Sequence, residues 1–411
     1  MKILVCNKFY RPVGGPETIV FDTVRELNAL GHAAIPFAMA HPDNLESEYS
    51  QYFVSNVDYN VRQAKGVRRL IKEAADIVYS AEARRKIEKL IADTQPDIAH
   101  AHNIYHQLSP SILSALKRAN IPTVLTLHDG KLLCANMLFL KNGEVCEKCA
   151  GRKFYHGVIN KCVKDSYAGS FLCCVEETLH RWLGMYERNV DLFITPSHFL
   201  KRKMVEHGRL NENQVEVLHN YADTKSFTPN YDLGGYGLFV GKIEAFKGVL
   251  TLLRACKEIP DFEIRLAGRG SLHEEGQRIA DAEGLTKVKF LGFQTGSDLN
   301  RQLQESRFVV LPAEWYENCP MVILEAFSAG KPVIASKMGG IPELIDHGTD
   351  GLLFEAGNAE ELASCMRQLA ENPELASEMG KRGRAKMEER FSIEVYVQSL
   401  LSIYDRVLGR S

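Results

Sequence analysis

The stretch LPAEWYENCPMVILEAFSAGKP, from Leu311 to Pro332, combines the signals that decide the fold. It opens on the end of an apolar run, which predicts a buried strand. Pro320 then suits the first turn of a helix, because the missing N–H of proline costs nothing there. Glu317 lies in the loop before this helix, and Glu325 lies about one turn inside it. Helix amides attract anions, so this order of elements predicts a phosphate-binding edge of a parallel α/β sheet.

The alternation of strand and helix extends across the whole sequence. Apolar runs that predict strands lie at 3–6, 96–100, 123–127 and 192–195, and again at 237–241, 263–267, 288–291, 308–311 and 332–335. Two such series predict an α/β protein of two doubly wound, Rossmann-like domains with an interdomain cleft. We expect the domains at 1–219 and 220–391, because 220–235 is rich in turn-forming residues. A last helix within 392–411 is expected to pack back on the first domain.

The composition is that of an ordinary globular protein, with 411 residues, 45% of them hydrophobic and 25% charged. No apolar run approaches the roughly 20 residues of a membrane-spanning helix, and the N-terminal run is too short for a signal peptide. We therefore expect a cytoplasmic protein whose ten cysteines are mostly reduced thiols. The first half carries a small excess of Lys and Arg, which favours an anionic surface or acceptor on that side.

Short glycine-containing motifs accompany the predicted strand ends. In the second half, GKIEAFKG spans 241–248, LAGRG spans 266–270 and FLGF spans 290–293. In the first half, a Gly14-Gly15-x-Glu17 turn follows the first strand, and a His-Asp pair follows the strand at 123–127. Two lysines in a loop between a strand and a helix indicate phosphate binding rather than a solvated surface pair.

In their order and spacing, these motifs resemble those of the family 4 retaining glycosyltransferases, also called glycosyl transferases group 1, which have the GT-B fold. The resemblance covers nearly the whole chain and includes the two glutamates eight residues apart. It implies metal-independent transfer of a sugar from a UDP- or GDP-sugar to a glycan or lipid-linked acceptor, in surface polysaccharide or glycoconjugate biosynthesis. The first domain then binds the acceptor and the second binds the donor. No cofactor is required for this catalysis, and no nucleic acid is expected as a partner.

The same resemblance assigns roles to individual residues. Lys247, Glu317 and His128 are the predicted catalytic residues, and the lysine neutralises charge on the departing diphosphate. The predicted donor-binding residues are Gly14, Gly15, Lys242, Lys247, Gly268, Phe293, Met321, Val322 and Glu325. The acceptor side is predicted to include Glu17, His102 and Asn103. Lys242 stands where the family usually has arginine, and Arg269 stands where an acid is usual, so the nucleotide preference stays open.

A cysteine-rich insertion follows His128 in the first domain and marks a subgroup of the family. Its cysteines are spaced C-x11-C-x2-C-x12-C, and Lys141-Asn142-Gly143 between the first two predicts a hairpin turn. Four thiolates suit a tetrahedral structural zinc ion, whereas the alternative is a loop of ordinary reduced cysteines. The four predicted zinc ligands are Cys134, Cys146, Cys149 and Cys162.

A basic stretch from Arg62 to Lys89 interleaves cations with apolar residues. It predicts either an amphipathic helix on anionic lipid, with peripheral association at the inner face of the cell membrane, or a solvated helical face. For the whole chain, two other functions stay open beside the glycosyltransferase. One is a nucleotide-sugar epimerase or phosphorylase of the same fold, and the other is a non-catalytic nucleotide-sugar-binding protein.

Overall fold

The computed structural model describes residues 1–56, 75–232 and 234–410. Within these residues, two parallel sheets of six strands each form the centre of the molecule, and a short antiparallel hairpin stands apart from both. The parallel strands are apolar runs buried on both faces, as expected when helices cover both sides of a sheet. The fold is therefore α/β with two doubly wound units, as predicted.

The first sheet has the spatial order β2-β1-β3-β4-β7-β8. The strands of this part of the chain are β1 (Lys2–Cys6), β2 (Ala33–Phe37), β3 (Ile98–Ala101), β4 (Thr123–Thr126), β5 (Leu140–Lys141), β6 (Glu144–Val145), β7 (Leu192–Thr195) and β8 (Val215–Val217). The described helices are α1 (Gly15–Ala29), α2 (Ala81–Thr94), α3 (Ser111–Arg118), α4 (Tyr155–Ile159), α5 (Tyr167–Leu183) and α6 (His198–Glu206). The predicted hairpin is β5–β6, and both turn residues, Asn142 and Gly143, have positive φ.

The second sheet has the spatial order β11-β10-β9-β12-β13-β14. Its strands are β9 (Tyr236–Val240), β10 (Glu263–Ala267), β11 (Val288–Gly292), β12 (Phe308–Leu311), β13 (Val333–Ser336) and β14 (Gly351–Phe354). The helices that follow are α7 (Val249–Cys256), α8 (His273–Ala282), α9 (Gly296–Glu305), α10 (Met321–Ser328), α11 (Ala359–Glu371), α12 (Pro373–Arg390) and α13 (Ile393–Val407).

The last helix, α13, packs on the first sheet rather than on the second. Its apolar side chains, among them Leu400 and Tyr404, share one buried core with Ile3 and Ile194 of β1 and β7. The Tyr404 hydroxyl also bonds to His100 Nδ1 on β3 at 2.7 Å. The chain thus begins and ends in the same structural unit, which ties the two parts of the molecule together.

In the two parallel sheets, three strands are not predicted by the apolar pattern. They are β2, β8 and β14, and each lies at an edge of its sheet. An edge strand pairs on one side only, so it tolerates residues that a central strand excludes. Pro36 lies within β2, and Glu216 lies at the middle of β8.

Within the described residues, no helix has the length and apolarity needed to cross a bilayer.

Candidate active site

A cavity of about 190 Å³ lies between the two units, at the carboxyl ends of their strands. This is where ligands bind in doubly wound sheets. Loops from both units form its walls, so it depends on their mutual placement. Its lining includes Gly15, His128 and Asp129 from the first unit and Trp315, Glu317, Asn318 and Met321 from the second.

The predicted catalytic pair of the second unit is in direct contact. Lys247 Nζ lies 2.5 Å from Glu317 Oε1, and Trp315 Nε1 donates a hydrogen bond to the same oxygen at 2.8 Å. The ammonium also lies 5.0 Å from the centre of the indole ring, within the range of a cation–π interaction. Two donors on one carboxylate oxygen fix the Glu317 side chain, which is 9% exposed. The Trp315 contact could not be predicted from the motif.

Close backbone approach explains the glycines beside this pair. Gly248 has a φ of 72°, and a Cβ there would lie 1.7 Å from the Pro312 carbonyl oxygen. Gly340 donates its N–H to the Glu317 carbonyl at 2.7 Å, and a Cβ on Gly340 would lie 2.0 Å from the Asn318 carbonyl oxygen. Three loops therefore close onto one another with no space for side chains, which holds Lys247 against Glu317.

The N-terminus of α10 faces the glycine turn of the first unit. The helix begins at Met321, and a Cβ on Gly15 would lie 3.3 Å from Met321 Cγ. Two of the predicted phosphate-binding elements, one from each unit, are thus in contact across the cleft. Glu325 lies one turn along α10, and burial raises the pKa of its carboxyl group. Val322, beside Met321, is half-buried.

The other predicted donor residues lie at adjacent strand ends of the second sheet. Gly268 donates its N–H to the Gly292 carbonyl at 2.8 Å, and a Cβ on Gly268 would lie 1.7 Å from the Gly241 carbonyl oxygen. The side chains that follow these glycines, Lys242 and Phe293, are exposed, and neither lines the 190 Å³ cavity. The backbones of Lys242 and Phe293 therefore lie at the sheet edge, but their side chains do not enter the 190 Å³ cavity.

A chain of buried histidines lies on the side of the first unit. His102 Nδ1 is 3.1 Å from His128 Nε2, and His100 Nε2 is 2.7 Å from the Thr126 hydroxyl. Burial lowers the pKa of His128 to about 4 and that of His102 well below its ordinary value. These imidazoles are therefore neutral at pH 7 and act as hydrogen-bonding groups rather than as cations.

The predicted acceptor-side residues Glu17 and Asn103 are in contact with each other. The amides of Asn7 and Asn103 lie near the Glu17 carboxylate. Burial raises the pKa of Glu17, although the nearby Lys8 ammonium and these amides oppose the shift. Glu17 is 4% exposed, so these amides compensate for much of its lost hydration.

Two residues that join the units were not among the predicted site residues. Asn318 donates from Nδ2 to the His128 carbonyl at 3.1 Å. Glu343 accepts the N–H groups of His198 and Phe199, at 2.7 and 2.6 Å, at the N-terminus of α6. In the sequence, these two residues are distinguished only by their neighbours, because Asn318 follows Glu317 and Glu343 ends the GGIPE motif.

A second cavity of about 500 Å³ lies within the first unit. It shares Met137 and Leu138 with the interdomain cavity, so these two insertion residues form the partition. No carboxylate lines it among the described residues. Two buried polar atoms of its walls, Arg11 Nε and Gln107 Oε1, have no hydrogen-bond partner in the described part of the chain. The polar lining consists of Arg11, His41, Asn56, His106, Gln107, Asn136 and Lys164.

The cysteine-rich insertion packs around its own small apolar core, which contains Cys149 and Cys174. Burial raises the pKa of Cys134 to about 11 and that of Cys149 to about 12. All ten cysteines of the chain are unbridged. Among the described residues, two groups have ligand atoms close enough to share a metal ion. The first group is His106, Cys173 and Glu176, and the second is Glu176, Glu177 and His180. Neither group contains a predicted zinc ligand. The zinc site stays a prediction.

The basic stretch at 62–89 is described only in part. Arg68, Arg69 and Lys72 lie outside the described residues. On α2, Arg84 Nε bonds to Glu88 at 2.9 Å, and the Lys86 ammonium bonds to the Phe53 carbonyl. Two of the described cations of this stretch, Arg84 and Lys86, therefore have partners within the protein. Lipid binding by the stretch stays a prediction.

Two family models match the chain and overlap at its centre. The model described as Glycosyltransferase Family 4 matches residues 13–226, and the model described as Glycosyl transferases group 1 matches residues 200–386. The chain therefore belongs to glycosyltransferase family 4 and is a glycosyltransferase with the GT-B fold. A subgroup defined by the cysteine-rich insertion stays a prediction.

Curated relatives and solved structures agree with this assignment. An uncharacterized glycosyltransferase of Methanocaldococcus jannaschii is 27% identical over 410 residues, 99% of either chain. An amylovoran biosynthesis glycosyltransferase of Erwinia amylovora is 29% identical over 41% of this chain and 44% of its own length. The structure of HepE of Anabaena, solved in complex with UDP, matches this chain with a TM-score of 0.69 at 18% sequence identity. The match covers 99% of this chain and 100% of HepE. This last likeness shows the shared fold.

Proposed function

We propose that this glycosyltransferase moves a sugar from a nucleoside-diphosphate donor, a UDP- or GDP-sugar, to a glycan or lipid-linked acceptor with retention of anomeric configuration. The observation that carries the proposal is the Lys247–Glu317–Trp315 contact, which lies in the same cleft as the N-terminus of α10 and the Gly15 turn. Retention rests on the family resemblance. The HepE structures described with UDP and with UDP-glucose support a nucleotide-sugar donor.

The chemistry needs positive charge where the diphosphate departs. As the bond between the sugar and the phosphate oxygen breaks, negative charge builds on that oxygen, and Lys247 and the α10 amides can neutralise it. The acceptor oxygen forms the new bond to the same carbon, and its proton passes to the departing phosphate oxygen. We assign no protein group as the base, because Glu317 is held by two donors. Glu317 is instead placed to accept hydrogen bonds from sugar hydroxyls.

Charge neutralisation by protein groups makes a metal ion unnecessary for the proposed reaction. Activity is then expected to survive EDTA, which would remove a metal bound to the diphosphate. Neutral His128 lines the cleft and can donate or accept a hydrogen bond on the sugar or the diphosphate.

The acceptor is proposed to enter from the 500 Å³ cavity of the first unit. Its lining carries Arg11, Lys164 and two imidazoles, and no carboxylate among the described residues. The orphaned Arg11 Nε is a donor that an anion would satisfy. We therefore propose an acceptor that carries a carboxylate or phosphate group near the sugar that is extended. The relatives named for amylovoran and for lipopolysaccharide core biosynthesis support a role in surface polysaccharide assembly.

A donor screen followed by product analysis tests the proposal. Thermal unfolding is first measured with UDP, GDP and ADP, because a bound nucleotide raises the midpoint by mass action. The donor that matches the stabilising nucleotide is then incubated with a panel of glycan and lipid-linked acceptors, and the anomeric proton of the product is read by NMR. An inverted product would overturn the retaining mechanism.

Two further incubations distinguish the alternative functions. Isomerisation of the donor in the absence of an acceptor would identify an epimerase. Release of glucose 1-phosphate from an α-glucan by inorganic phosphate would identify a phosphorylase. Nucleotide binding with neither hydrolysis nor transfer for any common donor would favour a non-catalytic binding protein.

A further inference from the structure

Helix α5, the long helix of the cysteine-rich insertion, has an aromatic face exposed to solvent. Tyr167, Phe171 and Trp182 are 60%, 60% and 78% exposed. They follow one another at spacings of 4 and 11 residues, about one and about three helical turns, so they lie on one side of the helix. The stripe is about 22 Å long from end to end, at 1.5 Å per residue.

The buried face of α5 carries both of its acidic residues. Glu176 and Glu177 are fully buried, and both bond to the buried ammonium of Lys131, at 2.8 and 3.0 Å. A helix on the surface of a soluble protein normally turns its apolar side inward and its charges outward. In α5 the arrangement is reversed, which indicates that the outer face meets an apolar environment.

The exposed apolar residues are concentrated in this part of the chain. Half of the exposed large hydrophobic side chains of the described residues lie between 155 and 183. Besides the three of the α5 stripe, they include Tyr155 and Ile159 on α4, which packs against α5. Exposed apolar side chains gathered in one part of the surface mark an interaction site.

Exposed cations close to the patch in the sequence, one of them over a ring of the patch, indicate the surface that it fits. Lys161 Nζ lies 4.4 Å from the centre of the Tyr167 ring. The exposed acids of the same segment are Glu144 and Asp165, and the Asp165 carboxylate is 3.3 Å from Lys141 Nζ. Tyrosine and tryptophan with a basic fringe are the residues that settle at the interface of an anionic bilayer. The basic fringe consists of the exposed cations Lys148, Arg152, Lys153 and Lys161.

We infer that α4 and α5 form a docking face for an anionic lipid bilayer, with Trp182, Phe171 and Tyr167 at the level of the headgroups. The 500 Å³ cavity lies beside α5, because it is lined by Cys173 on the buried side of this helix and by Lys164 just before the helix begins. A bilayer-bound acceptor would therefore reach the cavity directly. The docking itself requires neither donor nor acceptor, so it holds or fails independently of the proposed transferase activity.

Vesicle co-sedimentation tests the docking face on the full chain. Wild-type protein is expected to sediment with vesicles that mix phosphatidylcholine and phosphatidylglycerol, less with phosphatidylcholine alone, and less at high salt. The double substitution of Phe171→Ala with Trp182→Ala is expected to lower partitioning at least about tenfold, since two side chains lose their apolar burial. Leu30→Ala, which truncates an exposed leucine outside the patch, is the matched control and should bind like wild type.

Tryptophan quenching reports the depth of insertion, because the chain has two tryptophans, Trp182 and Trp315. Brominated lipids are expected to quench wild-type emission and to leave Trp182→Phe, whose remaining Trp315 lies in the cleft, unquenched. Equal vesicle binding by the double variant would overturn the proposal. A wild-type dimer that the double variant loses, without vesicle binding, would also overturn it and assign the face to a second copy of the chain.

Discussion

Two cavities meet at Met137 and Leu138, and their walls carry different charges. The interdomain cavity is lined by the carboxylates of Asp129 and Glu317, and the Lys247 ammonium is already bonded to Glu317. The inner cavity has cations and imidazoles, and no carboxylate among its described residues. A paired ammonium can turn toward charge that appears only during a reaction, whereas a wall that holds the unpartnered Arg11 Nε donor suits an anion that is present throughout. Under the proposed function, the interdomain cavity suits the chemistry and the inner cavity suits the holding of the acceptor.

The largest effect is expected from Lys247→Ala. The variant leaves no ammonium beside Glu317 to neutralise the departing diphosphate, and kcat is expected to fall about 10²–10³-fold. Initial rates at saturating donor and acceptor give the measurement. Lys289→Ala removes a surface ammonium that bonds to Glu263 at 2.6 Å in the same sheet and should leave kcat unchanged. Wild-type turnover by Lys247→Ala would show that the interdomain cavity is not the place for chemistry.

Several of the predicted site residues come together around this cavity because they lie in contiguous motifs. Lys247 precedes a glycine that the chain needs for close approach to Pro312, and Glu317 and Met321 lie in one short loop and helix start. The central strands were predicted for a similar reason, since a strand buried on both faces is a continuous apolar run. The pairing of Glu317 with Trp315 was not predicted, because a spacing of two residues does not specify which way a loop side chain points.

The inner cavity could not be predicted in the same way. Its polar residues come from separate segments, with Arg11 after β1, Gln107 after β3 and Lys164 within the insertion. The cysteine spacing of the insertion led to a zinc prediction, whereas the contact of the insertion with the candidate active site is made by other residues. Tyr316 bonds to Glu147 at 2.8 Å, between the cysteines. Such long-range contacts depend on tertiary packing, which no local pattern contains.

A smaller effect is expected from Glu325→Ala, which should weaken nucleotide binding more than it slows turnover. The half-buried carboxylate accepts hydrogen bonds only, and a ribose diol could supply two of them. Loss of hydrogen bonds to a charged group costs about 1.5–3 kcal/mol, which is a roughly tenfold to hundredfold rise in the Kd of the nucleoside diphosphate. Isothermal titration gives the Kd, and Glu325→Gln is the conservative comparison. An unchanged Kd would remove the ribose role from this residue.

A change of about tenfold is expected from Arg11→Gln in the inner cavity. The substitution removes a charge-assisted hydrogen bond, so KM should rise for acceptors that carry a carboxylate or phosphate and stay constant for their neutral analogues. Methyl glucuronoside, glucose 6-phosphate and methyl glucoside serve as soluble probes of carboxylate, phosphate and neutral sugar. Arg278→Gln on α8 is the matched surface control. An equal change for charged and neutral probes would mean that this cavity does not hold an anion.

The smallest effect is expected from Glu343→Gln, which weakens the link between the two units rather than either cavity. Although burial opposes ionisation, hydrogen bonds from His219 and the α6 amides hold the pKa of Glu343 below its usual range. Its folded pKa is therefore lower than its unfolded pKa, so this contribution to stability is present above the unfolded value and is lost as pH falls through the folded value. We expect the midpoint of thermal unfolding to fall by about 2 °C at pH 7, which corresponds to an anion at a helix N-terminus worth up to about 1 kcal/mol. The difference between variant and wild type should shrink in acid. A difference that stays constant down to pH 3 would mean that charge at Glu343 does not join the units, and that the cleft is held by Asn318 and the packing around it.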